Sequence, residues 1–333
     1  QKGLMIAIQL SDGKLSVVDV QIPEPREGEA LLRVLQVGIC NTDIELARGY
    51  KGFNGIIGHE FVAVVEKINA SEADTVEVTI GQRVVGEINC VPSSAGCHSY
   101  LDRAQHPERA ALGIFKHDGA MTEYVAVPLV NLHPVPPSLS DDQAMFVEPL
   151  AAACQILEQV AIGPADRVAV LGTGKLGVLI AQVIRTTGCR LIVAGRRRET
   201  LAPFEARGIS ACLVSELEDA ADRYDVVVDC TGNADGFNAA LRLARPRGTL
   251  VLKSTFDGLT PADLTKVVVD EIKIVGSRCG PFAVALRMLA EGRVTVDGLI
   301  THRFALADGL KAMAAAAGKD SLKVAIRVAG PPA

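Results

Sequence analysis

The sequence predicts a two-part α/β protein, with a mainly β N-terminal domain followed by a doubly wound parallel sheet. Three observations predict it. The first third is written in short β-rich runs separated by Gly, Pro or charged residues. After HPVPPSLS the pattern changes to alternating strands and helices, the mark of a parallel sheet covered by helices. Within that alternation, VAVLGTGKLGVLIAQVI places a glycine-rich turn between a strand and a helix.

Taken in order, LMIAIQL, KLSVVDV, EALLRVLQVGIC, FVAVVEKI and RVVGEI read as strands, and no long helical period interrupts them. Residues 143–160 are Ala-rich and helix-compatible, with Pro149 inside. RVAVLG is then a strand, residues 175–187 a helix, and RLIVAG and YDVVVDC strands. Residues 236–244 form a helix, TLVLKS a strand, residues 263–269 a helix, and IKIVGS a strand. The last fifty residues hold two helical stretches, AVALRMLAEG and LKAMAAAAG, and a final strand, LKVAIRV. No internal repeat is present.

The chain has 333 residues, of which 49% are apolar and 22% charged, enough for two domains with sizeable cores. A net charge of −5 gives no basis for binding nucleic acid or an anionic membrane. Trp is absent and aromatics make up 4%, which disfavours stacking on single-stranded nucleic acid. No apolar run has membrane-spanning length, and the start shows no signal-peptide pattern. The eight scattered cysteines suit reduced thiols in a cytoplasmic protein better than a disulfide framework.

Gly172, Gly174 and Gly177 have G-x-G-x-x-G spacing in the turn Gly172–Thr173–Gly174–Lys175–Leu176–Gly177. A lone match is weak, but here it follows a strand, opens a helix and sits in a βαβ unit. The glycines permit the tight turn, close approach to a pyrophosphate, and close helix–strand packing. The helix N-terminus then offers N–H groups to the phosphates. For NAD, a carboxylate is expected at the end of the next strand to bind the ribose. That strand ends at Gly195, and Arg196, Arg197 and Arg198 follow. Guanidinium groups there suit a 2′-phosphate, so NADP(H) is the expected cofactor, with NAD(H) still admissible. Arg198 is the one of the three expected to be solvated.

GICNTDIELARGY carries Cys40, Thr42, Asp43 and Glu45; IIGHEF carries His59 and Glu60; FVEPLAAACQ carries Glu148. Singly, each has an ordinary structural explanation: a core thiol, a surface His, a first-turn carboxylate. Together with the glycine motif, GAMTEYVAVP and the DCTG strand end, they resemble the zinc-containing medium-chain dehydrogenase/reductase superfamily over essentially the whole chain. The resemblance implies a GroES-like domain over residues 1–150 and 279–333 and a Rossmann domain over 151–278. It implies one catalytic Zn²⁺ per chain on Cys40 and His59, with either Glu60 or Glu148 as a further carboxylate. One S, one N and carboxylate O donors suit zinc. Thr42 would relay the substrate proton, Asp43 would orient His59, and Glu45 would be a relay, a substrate contact or a solvated helix residue. Thr231 and Gly232, in the DCTG segment, would join the cofactor site. The E-P-L form points to the polyol and sugar branch, and carboxylates accept hydrogen bonds from several hydroxyls. The expected substrate is therefore a polyol, sugar or cyclitol-like secondary alcohol, and the expected assembly a homodimer or homotetramer. Asn89 is either a substrate contact or a strand-end cap. The competing readings are a zinc-free quinone or enoyl reductase of the same superfamily, and a nucleotide-binding protein with a structural or regulatory role.

NCVPSSAGCHSYLDRAQHPE is where the chain departs from that family, which commonly carries a structural zinc on C-x₂-C-x₂-C-x₇-C in this segment. The corresponding positions are Pro92, Ala95, His98 and His106, so two of four cannot ligate. The main expectation is a lobe without zinc; a rearranged site from Cys90, Cys97, His98 and His106 is the minority one.

Overall fold

The computed structural model describes residues 3–70, 77–92, 95–97, 99–219, 223–255, 259–319 and 321–328. The chain forms two compact units: Gln1–Glu148 with Pro281–Ala333, and Pro149–Gly280.

Unit 1 begins with the hairpin β1 (Leu4–Ser11) and β2 (Lys14–Gln21), then β3 (Glu29–Gly38), α1 (Asn41–Ala47) and β4 (Gly55–Ile56). β5 (Glu60–Asn69), β6 (Arg83–Gly86) and β7 (Asn89–Cys90) follow. After α2 (Tyr100–Ala104) come β8 (Ala110–Leu112), β9 (Lys116–His117), β10 (Tyr124–Pro128), β11 (Leu132–Pro134) and α3 (Asp141–Ala144). β3 alternates half-buried and buried residues along most of its length, the period of two that turns one strand face to a core. Ala30, Leu32, Val34 and Val37 are wholly buried.

Unit 2 is built from α4 (Val147–Gln159, beginning two residues before the unit), β12 (Arg167–Leu171), α5 (Lys175–Arg185), β13 (Arg190–Gly195) and α6 (Ala202–Glu205). It continues with β14 (Ala211–Leu213), α7 (Val214–Asp219), β15 (Tyr224–Asp229), α8 (Ala234–Leu243), β16 (Ala244–Leu252), α9 (Leu264–Val269) and β17 (Lys273–Gly276). The sheet order is β14-β13-β12-β15-β16-β17, with every pair parallel. In order of appearance this is 3-2-1-4-5-6, the doubly wound order whose direction reverses between β12 and β15. The central strands are continuous apolar runs because helices cover both faces.

The chain returns to unit 1 through α10 (Phe282–Ala290), β18 (Ile300–Ala305), α11 (Gly309–Ala316) and β19 (Lys323–Arg327). β18 and β19 complete a seven-stranded sheet in the order β11-β6-β5-β3-β19-β18, with β10 also on β3. β3 serves two neighbours along one side: residues 29–33 pair with β10 and residues 36–38 with β19. None of the helices among the described residues is long and apolar enough to cross a membrane.

Candidate active site

Strand pairing explains why residues distant in sequence meet in unit 1. β3 and β5 are antiparallel, with Gly38 opposite Glu60. Cys40, two residues past Gly38, therefore lies beside His59 and Glu60 at the start of β5. The segment leading into His59 is held by the GAMTEY stretch: Gly119, Ala120 and Met121 donate backbone hydrogen bonds to Ile56, Gly58 and Ile57. Cys40 Sγ, a His59 ring nitrogen and a Glu60 carboxylate oxygen all lie within 4.8 Å of one another. They are the one group of three metal-ligating side chains among the described residues. His59 and Glu60 are buried at 3% and 1% exposure, so both are removed from competing water.

Asp43 braces this group. It is wholly buried, its Oδ2 accepts the Cys40 N–H at 2.8 Å, and its Oδ1 faces His59 Nδ1 at 3.4 Å. Asp43 Oδ1 and His59 Nδ1 have no hydrogen-bond partner, an unusual state for buried polar atoms. Burial alone would depress the His59 pKa. The Asp43 carboxylate and Cys40 outweigh that effect and hold the imidazole well above its ordinary range. The closely spaced donor set of S, N and O, half-buried at Cys40 and buried at His59 and Glu60, fits a zinc ion.

The other predicted residues are placed as follows. The Thr42 hydroxyl is 3.7 Å from Cys40 Sγ and half-buried. Glu45 accepts a hydrogen bond from Arg48 at 2.8 Å, a pair on the same short helix. Glu148 is half-buried in the first turn of α4 and stands outside the three-residue group. One residue went unread in the sequence. β19 pairs with β3 so that Ala325 is opposite Gly38, which brings Lys323 to the same strand ends. Lys323 is wholly buried and its Nζ donates to Glu60 Oε2.

In the lobe after β7, burial first, and then the carboxylates of Glu29 and Glu87, push the Cys90 thiol pKa far up against the opposing Arg103, which disfavours the thiolate a metal needs. Cys97 Sγ contacts Ala95 O at 3.7 Å, and His106 Nδ1 accepts the Glu108 N–H at 3.2 Å. His98 lies outside the described residues. A buried ion pair also ties the lobe: Arg103 donates to Glu87 Oε2 at 2.7 and 3.1 Å, while His133 meets Glu87 Oε1 at 2.8 Å. Asn89 is buried, and its carbonyl accepts from Asn131.

Unit 2 presents the glycine turn at the end of β12. Gly172 has φ of 124°, and a Cβ on Gly177 would sit 2.1 Å from Gly172 O, so both positions exclude a side chain. A Cβ on Gly174 would meet nothing within 4 Å, and Gly174 caps α5 without a side-chain hydrogen bond. An open cradle before an uncapped helix start fits a dinucleotide pyrophosphate. A Cβ on Gly195 would come within 2.6 Å of the Thr173 methyl, and Thr173 Oγ1 is itself held by Thr200 at 2.6 Å. The usual ribose-binding carboxylate therefore has no room here. Arg198 pairs with Glu216 at 2.5 Å and Arg197 faces Glu199 at 3.7 Å, while Arg196 is exposed. Across the switch point, Thr231 is held through its N–H and hydroxyl by buried Asp229, and Gly232 N–H by Ser254.

Two family models match the chain: the alcohol dehydrogenase GroES-like domain over residues 26–137 and the zinc-binding dehydrogenase over residues 176–291. The chain belongs to the zinc-containing medium-chain dehydrogenase/reductase superfamily. Among members, it is 29% identical to L-galactonate-5-dehydrogenase of Escherichia coli K12, covering 86% of this chain and 87% of that protein. A zinc-binding dehydrogenase of Sinorhizobium meliloti 1021, solved with NADP, matches at 26% identity and a TM-score of 0.85, over 98% of this chain and 100% of that one. An Escherichia coli CFT073 alcohol dehydrogenase, solved with NADH, matches at 25% identity and a TM-score of 0.86, over 97% and 99% of the two chains. The α/β architecture and the alcohol-type oxidoreductase activity expected from the sequence are those of this superfamily, whose members take a small-molecule substrate and a nicotinamide cofactor.

Proposed function

We propose that this protein is a zinc-dependent dehydrogenase that oxidises a hydroxyl-rich secondary alcohol of polyol, sugar or cyclitol-like type, with NADP⁺ preferred as hydride acceptor. The observation that carries this reading is the convergence of half-buried Cys40 with buried His59 and Glu60, their ligand atoms within 4.8 Å of one another. These residues would hold the zinc, with Glu148 available as an alternative carboxylate. When bound, zinc supplies Lewis acidity that lowers the pKa of a substrate hydroxyl. Asp43 fixes the His59 ring and the Cys40 backbone so that both donors keep their aim. The Thr42 hydroxyl, beside Cys40 and partly open to solvent, receives the substrate proton and passes it outward. Glu45 is a half-buried helix carboxylate paired with Arg48 and is assigned no step. In unit 2 the Gly172–Gly177 turn seats the pyrophosphate, and Thr231 and Gly232 line the far side of the switch point. Arg196 and Arg197 receive the 2′-phosphate, supported by the absence of space for a carboxylate at Gly195.

Self-association is proposed on the outer edge of the parallel sheet. Among the described residues β17 pairs with β16 alone, and Ile274 on it and Val268 and Val269 on α9 are exposed by 40%, 75% and 73%. An uncovered apolar sheet edge of this kind favours a second copy.

Metal analysis and a hydride-transfer assay over a panel of polyols and sugars, with both NADP⁺ and NAD⁺, test the reading. About one zinc per chain is expected, and Cys40→Ala or His59→Ala should abolish turnover. Full activity in a thoroughly chelated sample would sink it.

A further inference from the structure

Lys253 stands one residue past β16, at the C-terminal edge of the parallel sheet. Lysine is rarely buried, yet this side chain is only 9% exposed. Its Nζ donates to Ala152 O at 2.7 Å, to Arg278 O at 2.8 Å and to Ser277 Oγ at 3.4 Å. These three acceptors match the three N–H bonds of an ammonium, the form a lysine of ordinary basicity carries at neutral pH. The group is therefore a fixed cation, set between α4 and the segment that follows β17.

The topology assigns this corner to one half of the dinucleotide site. A doubly wound sheet binds the two mononucleotide halves on either side of its switch point. The glycine turn follows β12 and the arginines follow β13, which places the adenosine phosphate end on that side. The ends of β15, β16 and β17 are left for the nicotinamide, and Lys253 lies among them.

We infer that Lys253 sets the charge of the nicotinamide half, so that it holds the neutral reduced ring in preference to the cationic oxidised ring. The inference rests on the nicotinamide reading given above. In alcohol oxidation the substrate C–H bond breaks and hydrogen with its electron pair passes to the ring, while the hydroxyl proton leaves. The ring loses its positive charge in that step. A fixed cation nearby raises the energy of the charged ring and leaves the neutral ring almost untouched. The repulsion is relieved as hydride arrives, so Lys253 makes the bound oxidised cofactor a better acceptor. A lysine that only tied α4 to residues 277–278 would not distinguish the two redox forms.

Dissociation constants for NADP⁺, NADPH, NAD⁺ and NADH, read by fluorescence on the intact protein, test this without turnover. The wild type should bind each reduced form more tightly than its oxidised partner. Lys253→Met should lower the ratio Kd(oxidised)/Kd(reduced) by about five- to tenfold, the order expected of one partly screened charge. Lys253→Arg should keep the wild-type ratio. Should the Met variant fail to fold, Lys253→Gln is read by the same criterion. A wild-type ratio at or below one, or a neutral variant that weakens both forms equally, overturns the assignment. Failure of all four nucleotides to bind the wild type would overturn the nicotinamide reading and this inference with it.

Discussion

Lys323 and Glu60 form an ion pair sealed inside unit 1, with side-chain exposures of 0% and 1%. The lysine nitrogen also lies 5.5 Å from the centre of the Phe146 ring. Glu60 belongs to the three-residue metal-ligating group, so two cations compete for one carboxylate: the lysine and the metal. Lys323→Met should lower the stability of the metal-free protein by about 3–5 kcal/mol, the cost of leaving a buried charge without its partner. Added zinc replaces the missing cation, so the zinc-induced rise in Tm should be larger in the variant than in wild type. Equal rises in thermal scans would show that Glu60 does not feel the metal.

Arg196, Arg197 and Arg198 are all exposed; Arg196 follows the space-limited Gly195 directly, while Arg197 and Arg198 face carboxylates. Arg196→Ala should raise KM for NADP⁺ by roughly tenfold or more and change KM for NAD⁺ by less than about twofold, because only NADP⁺ carries the 2′-phosphate. Steady-state kinetics with both cofactors decide the matter, and equal effects would count against the NADP preference.

The Arg103–Glu87 pair holds the lobe that follows β7, with side chains 4% and 7% exposed. Arg103→Ala should cost about 3–5 kcal/mol in denaturant unfolding, whereas the double variant Arg103→Met with Glu87→Leu should recover most of that loss. Chelator should not change either result if the lobe holds no metal. A chelator-sensitive lobe would revive the Cys90, Cys97, His98 and His106 site.

Asp142 supplies the pH dependence. Hydrogen bonds from Arg303, at 2.6 and 2.7 Å, and from Gln36 hold its carboxyl below the ordinary range, against the upward push of partial burial. A carboxyl depressed in the folded state adds stability above its unfolded pKa of about 3.9 and loses it as pH falls through the folded value. Asp142→Asn should therefore lower Tm by roughly 1–3 °C at neutral pH, a small effect because the pair is partly exposed. The difference should shrink as pH falls below the unfolded value and vanish once the folded-state carboxyl is also protonated. A gap that stays constant across that range would mean that the charge of Asp142 is not responsible.

Much of the fold was legible because local pattern and tertiary need agree. Alternation in EALLRVLQVG, continuous apolar runs in RVAVL and VVVD, and glycines at turn positions each state their environment directly. The Cys40–His59–Glu60 convergence was legible only through the combined motifs, since the pairing of β3 with β5 that creates it is non-local. Lys323 and Lys253 were not legible. Each reads as a charge at a strand end, and only the arrival of Glu60 beside one, and of Ala152 and Arg278 carbonyls around the other, makes burial tolerable. The strand β18 also went unread, because ITHRFA is polar and largely exposed and gains its place by pairing with β19. The Arg103–Glu87 pair spans sixteen residues with no periodic signal.

The pairing of β19 with β3 also bears on how the polypeptide is made. Residues 149–280 are contiguous, so a nascent chain can close the parallel sheet while the remainder is still being translated. The N-terminal strands emerge first, yet they wait longest, because their central sheet lacks two strands until residues 300–327 leave the ribosome. Until then Glu60 has no Lys323, and the edge of β3 at residues 36–38, just before Cys40, lacks its β19 partner. Synthesis of the last strand is thus the event that encloses the candidate metal-binding group.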